Sequence, residues 1–112
     1  MALREFTLQL VGVTATSVSS STTPAAGKVW TIIGFTLANR ISSNVSFDVF
    51  KRMPTNIDTY LANGMLLPAF NNHYTIGSLG KHIILPTGLI FVKSSIATSI
   101  DVTMTVDESD NT

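Results

Sequence analysis

The two histidines, His73 and His82, have the widest chemical repertoire in this chain, since imidazole ligates metals and moves protons near neutral pH. Neither has a second His, a Cys or a carboxylate at a usual ligand spacing, so both read as loop or strand-surface residues and no metal site is expected. Asp48 and Asp101 could in principle pair as acid and base, yet each falls on the polar phase of a strand whose other phase is apolar. That placement reads as solvated or interface carboxylates. Serines are abundant, but none sits in a Gly-x-Ser-x-Gly elbow, and Gly77-Ser78-Leu79-Gly80 lacks the strand–turn–helix setting of a nucleophile or phosphate loop. There is no cysteine, hence no disulfide and no thiolate ligand. The chemistry available is that of binding: no catalytic residue, cofactor or metal is expected, and the chain reads as a non-enzyme.

Candidates for binding are few. Lys51 and Arg52 are the sole adjacent basic pair, and with Arg40 and Lys81 they form either a patch facing an acidic partner or a scattered solvated set. Phe50, on the wet phase of its strand, and Phe70, in a polar loop, are either interface anchors or ordinary core residues. Tyr60, Phe70 and Tyr74 are the only platform a sugar could use. The polar segment Thr14 to Thr23, with Thr16 and Ser19 inside it, has no core pattern and is either a sheet edge or an arm reaching a partner. Asn44-Val45-Ser46 fits the glycosylation pattern and marks Asn44 as exposed.

Composition narrows the partners. Seven Lys and Arg balance seven Asp and Glu, too weak a field to hold a phosphate backbone, so nucleic acid is not expected. The 112 residues are 45% hydrophobic and 12% charged, a globular profile whose surface must be Ser, Thr and Asn or be covered by partners. Met1 to Phe6 lacks an apolar signal core, and the run Val29 to Leu37 is about half the ~20 residues a membrane span needs, so neither export nor a membrane is expected. One domain over residues 1–112 accounts for the chain, with residues 107–112 as a flexible acidic tail.

The elements that would hold these residues are strands. Val, Ile, Thr and Phe recur at period two between Gly, Pro, Asn and Ser clusters, and no stretch reads as a long amphipathic helix. Phe6, Leu8 and Leu10 alternate with Thr7 and Gln9. Val29 to Leu37 is apolar on both faces and is placed centrally with both sides covered, Trp30 lying in the core or at a subunit boundary. Val45, Phe47 and Val49 form a strand with one wet face, Lys51 to Asp58 a loop, and short strands surround Tyr60-Leu61 and Met65-Leu66-Leu67. After a polar bend at Asn71 to His73 come Tyr74-Thr75-Ile76, His82 to Leu85, Leu89 to Lys93, and Ile100 to Val106. Pro24-Ala25-Ala26-Gly27 with its strand, turn and strand is echoed by Pro86-Thr87-Gly88 with its own, implying two related hairpins. The fold class is all-β, an antiparallel sandwich of jelly-roll or Greek-key type with about eight short strands.

Nearly the whole chain resembles a family of short virion proteins of tailed bacteriophages. The resemblance rests on Met1-Ala2-Leu3-Arg4-Glu5, on Thr23 to Lys28 leading into a long apolar strand, and on Leu37-Ala38-Asn39 closing it. It continues through Tyr60-Leu61 with Leu67-Pro68, Gly80 to Gly88, Lys93-Ser94-Ser95, and Ile100 to Thr103. Phe70-Asn71-Asn72 replaces a Gly-rich turn, and Pro86-Thr87-Gly88 replaces a small or acidic turn. The resemblance implies a jelly-roll cement or decoration protein on the capsid surface, commonly a homotrimer, contacting the major capsid protein and assembled in the host cytoplasm. Two other roles stand beside it: a neck, tail or fibre-base subunit, and a carbohydrate-binding module.

Overall fold

A computed structural model describes residues 2–52, 57–70, 73–75 and 82–110, with the backbone alone for residues 73–75 and 82. Its strands are β1 (Ala2–Val11), β2 (Thr16–Ser17), β3 (Lys28–Asn39), β4 (Val45–Arg52), β5 (Asp58–Leu67), β6 (His73–Thr75), β7 (His82–Ile84), β8 (Leu89–Ser94) and β9 (Ile100–Asp110). One sheet runs β1-β9-β3 and is completed by β6 and β7, which both pair with β3; the other runs β2-β8-β4-β5. β6 lies opposite Thr36–Ala38 and β7 opposite Trp30–Ile32, so the two share one edge position. The strands therefore fill two facing four-position sheets in jelly-roll order, antiparallel throughout. The expected all-β sandwich is the observed one.

Trp30, Ile32, Phe35, Leu37, Phe47, Ile90, Val102, Met104 and Val106 fill the space between the sheets. β3 is central in its sheet as expected, between β9 and β6 with β7, but only one of its faces is covered. Ile32 pairs with Val106 and Gly34 with Thr105, so Ile33 is an extra residue in a β-bulge. The bulge resets the alternation: Trp30 and Ile32 point inward before it and Phe35 and Leu37 after it, while Ile33 is 48% exposed. A run that looks apolar on both faces is one inward face read across a phase change. β1 repeats the device. Its register shifts between Leu8 and Val11, and Leu10, with φ of 56°, turns outward while Val11 takes the buried place.

The internal echo is real in the turns but not as hairpins. Lys28 N–H donates to Ala25 O and Gly88 N–H to Leu85 O, each closing a tight turn that launches a strand. The left-handed position is Gly27 (φ 79°) in the first and Thr87 (φ 65°) in the second. β3 and β4, however, belong to different sheets, as do β8 and β9, so each pair is a crossing from one sheet to the other. The pairings β3·β9 and β4·β8 bring the two crossings side by side.

Three further expectations change. Tyr60 to Leu67 lies in one strand rather than two, its irregularity absorbed by bulges that include Gly64 at φ 65°. Lys51, Arg52 and Asp58, assigned to a loop, end β4 and begin β5; residues 53–56 lie outside the described ones. The acidic stretch from Asp107 is not a frayed tail up to Asp110, because β9 continues there between Ala2 and Leu3 of β1 and Lys28 to Thr31 of β3. Trp30 Nε1 donates to Glu108 Oε1 at 2.9 Å, Arg4 lies 3.6 Å from Glu108, and Lys28 pairs with Asp110. Carboxylates that look like a solvated end are thus partners of two other strands. Residues 111 and 112 are outside the described set.

Candidate interaction surface

The binding candidates separate onto two parts of the molecule. Phe50, Lys51 and Arg52 end β4 beside β8 and the start of β5. Arg40 lies at the other end of the sandwich, where its N–H donates to Ser99 O and its guanidinium stands 3.6 Å from Asp101. The single basic patch is therefore not formed by Arg40 with Lys51 and Arg52, since β3 and β4 run in opposite directions through the fold. Lys81 lies outside the described residues. Lys51 Nζ instead donates to Ile83 O at 3.2 Å, linking the two sheets.

Phe50 is not exposed. It occupies the outward phase of β4, yet it is only 4% accessible because its cross-strand neighbours are also aromatic. Phe91 stacks on it with centroids 5.3 Å apart and rings 6° from parallel, and Tyr60 flanks it at 5.1 Å. Arg52 lies over this row, its guanidinium carbon 4.5 Å from the Phe91 centroid and 5.8 Å from that of Phe50. The same guanidinium grips Asp58 through Nε to Oδ1 at 2.7 Å and Nη2 to Oδ2 at 3.2 Å. That fork holds the Asp58 carboxyl below its ordinary range. The outer face of the β2-β8-β4-β5 sheet thus carries a fixed aromatic row, of which Tyr60 remains 50% exposed.

One cross-strand pair further along the same face is polar. Asp48 sits opposite Lys93, as Phe50 sits opposite Phe91. A cavity of about 210 Å³ opens there, lined by Ser46, Asp48, Lys93, Ser94 and Ser95. Asp48 is fixed by the β5 bulge, its Oδ1 accepting the Gly64 N–H at 2.7 Å, and Ser46 N–H donates to Ser95 Oγ at 3.0 Å. Asp101, on the other sheet, accepts from Leu10 N–H, so the two aspartates do not form a carboxylate pair.

The remaining candidates are dispersed. Thr14 to Thr23 contains β2, a sheet edge pairing with Val92 and Phe91, rather than a free arm. Thr16 is half-buried there. Ser19 is buried, its hydroxyl donating to Thr22 O at 2.7 Å, which removes it from any contact surface. Phe70 is exposed at the far end, held in a left-handed bend (φ 47°) by its N–H to Ile41 O. Tyr60 and Phe70 therefore stand at opposite ends of β5 and do not form one platform. Tyr74 pairs through its backbone with Leu37, and its side chain, like those of His73 and His82 and the Gly77–Gly80 stretch, lies outside the described residues. Phe91, Asp58, Asp48 and Lys93 were missed as a group: only strand register places them together, and nothing in their sequence spacing announces it.

No protein-family model matches the sequence, and no curated protein matches it. Among solved structures the chain is similar to one in a structure of infectious bursal disease virus, Gx strain, at 11% identity and a TM-score of 0.55 over 95% of this chain. It spans about a third of that longer chain, 33%. Murine APRIL is matched at 14% identity over 91% of this chain and 98% of its own, with a TM-score of 0.44. The first likeness establishes the fold: this chain is a jelly-roll β-sandwich protein.

Proposed function

We propose that the chain is a non-enzymatic structural subunit of a virion, a cement or decoration protein of a tailed bacteriophage that associates with itself as a homotrimer and binds the assembled major capsid protein. The observation that carries this reading is the apolar end of the jelly roll. Leu10, Val13, Phe70 and Ile96 are all exposed at the end where β1, β5 and β8 finish, around the Arg40–Asp101 ion pair. A fold of the kind found in a virus structure, and the resemblance of the sequence to short phage virion proteins, support the same reading.

Such a subunit acts by mass action, binding the assembled shell better than free shell subunits and so stabilising the mature particle. A symmetric trimer would present the apolar end three times, and avidity would hold a small protein where one contact could not. The protein would be found on the capsid surface after assembly in the host cytoplasm.

Cryo-electron microscopy of whole virions tests this. Density for the chain at the local threefold positions of the shell, with Phe70 at a contact, is the expected result. Density confined to the neck, tail or fibre base would move the same fold to an adaptor role, and absence from the particle would overturn the reading.

A further inference from the structure

We propose that the cavity between Asp48 and Lys93 binds one pyranose ring of a saccharide. The inference is independent of the virion reading and rests on the outer face of the β2-β8-β4-β5 sheet.

The cavity has opposite charges on its two sides, from residues directly across the β4·β8 ladder, yet among the described residues no ion pair joins them. Asp48 has one carboxylate oxygen engaged by the Gly64 amide, which fixes the side chain and leaves the second oxygen to accept. Lys93 is exposed, and no protein partner meets its ammonium among the described residues. Ser46 and Ser95 add hydroxyls, which both donate and accept.

The class of ligand follows from this arrangement. A free anion would confront Asp48 and a cation would confront Lys93, so a neutral molecule carrying neighbouring donors and acceptors fits better than either. Vicinal sugar hydroxyls do this: one donates to the free Asp48 oxygen while the next accepts from Lys93. At about 210 Å³ the space suits a single ring rather than an oligosaccharide. The aromatic row begins one cross-strand pair away on the same face, at Phe50 and Phe91, and does not line the cavity.

The test is a ¹⁵N-resolved titration of the whole protein with methyl glycosides of glucose, galactose, mannose and N-acetylglucosamine, with glycine as a zwitterionic control. The expected result is a saturable shift of the Ser46, Asp48, Gly64, Lys93 and Ser95 amides with at least one glycoside, in the millimolar range usual for single sugars. Asp48→Asn and Lys93→Met should each weaken it about tenfold or more, the loss of one charge-assisted hydrogen bond. An unchanged spectrum elsewhere would show each variant folded. No saturable shift with any glycoside overturns the proposal, as does binding that survives Asp48→Asn, or binding of glycine in preference to every sugar.

Discussion

Asn39 shows how much a single side chain settles at the corner between the sheets. It is buried at the end of β3, with Nδ2 lying 2.9, 3.1 and 3.0 Å from the carbonyls of Ser43, Leu67 and Pro68, and its Oδ1 accepts the Ile41 N–H at 3.0 Å. Asn39→Ala leaves these groups without their partner, and a loss of about 2–4 kcal/mol in chemical denaturation is expected. Asn39→Asp should be no better at neutral pH, since a carboxylate would face three carbonyl oxygens. The Arg52–Asp58 fork contributes to the pH dependence, as does the Lys28–Asp110 pair. Asp58 has a folded-state pKa below its unfolded one, so its contribution is fully present above the unfolded value of about 3.9 and is lost as pH falls through the lower folded value. Asp58→Asn should flatten that acid limb in thermal melts between neutral and strongly acidic pH. Both groups are accessible, so added salt should shrink the difference.

The strands are decided by phase. Ile32 and Ile33 are identical neighbours in sequence, yet one is in the core and the other is the outward residue of a bulge. Ile32→Ala is expected to cost about 2–5 kcal/mol, whereas Ile33→Thr should stay within about 0.5 kcal/mol. Equal effects in urea titrations would contradict the bulge. The end of β9 makes a second contrast. Truncation after Val106 removes ladder bonds to β1 and β3 together with the Glu108 and Asp110 contacts, and a loss on the order of 3 kcal/mol is expected. A truncated protein melting with the full chain would show those residues to be the frayed tail that their acidity suggests.

At the scale of the molecule, β1 pairs with β9 from the opposite end of the sequence, and every sheet neighbour of β3 lies far along the chain. Loops of that length must close before the pairings reward them, so stopped-flow refolding should run in milliseconds to seconds. A microsecond phase carrying the full amplitude would be inconsistent with this topology. The same long-range pairing assembles the two surfaces of interest: the apolar end gathers turns from three parts of the chain, and the aromatic row with its polar cavity spans β4, β5 and β8.

The all-β class, the strand-rich pattern and the jelly-roll type were legible in the sequence, because period-two alternation and Gly or Pro turns are local signals. Phe47, Met104 and their neighbours were legible as core for the same reason, whereas the pattern left Trp30 between the core and a subunit boundary. The burial of Phe50 was not, since a residue on an outward phase is covered only if its cross-strand neighbours are large, and Phe91 and Tyr60 are set beside it by register alone. Nor could the pattern show that Pro24 to Gly27 and Pro86 to Gly88 launch sheet crossings instead of hairpins, because a strand carries no local mark of which sheet it will join. Side-chain alternation is written residue by residue; partner choice, bulge position and the meeting of Asp48 with Lys93 depend on long-range hydrogen bonds that form only when the two sheets close on one core.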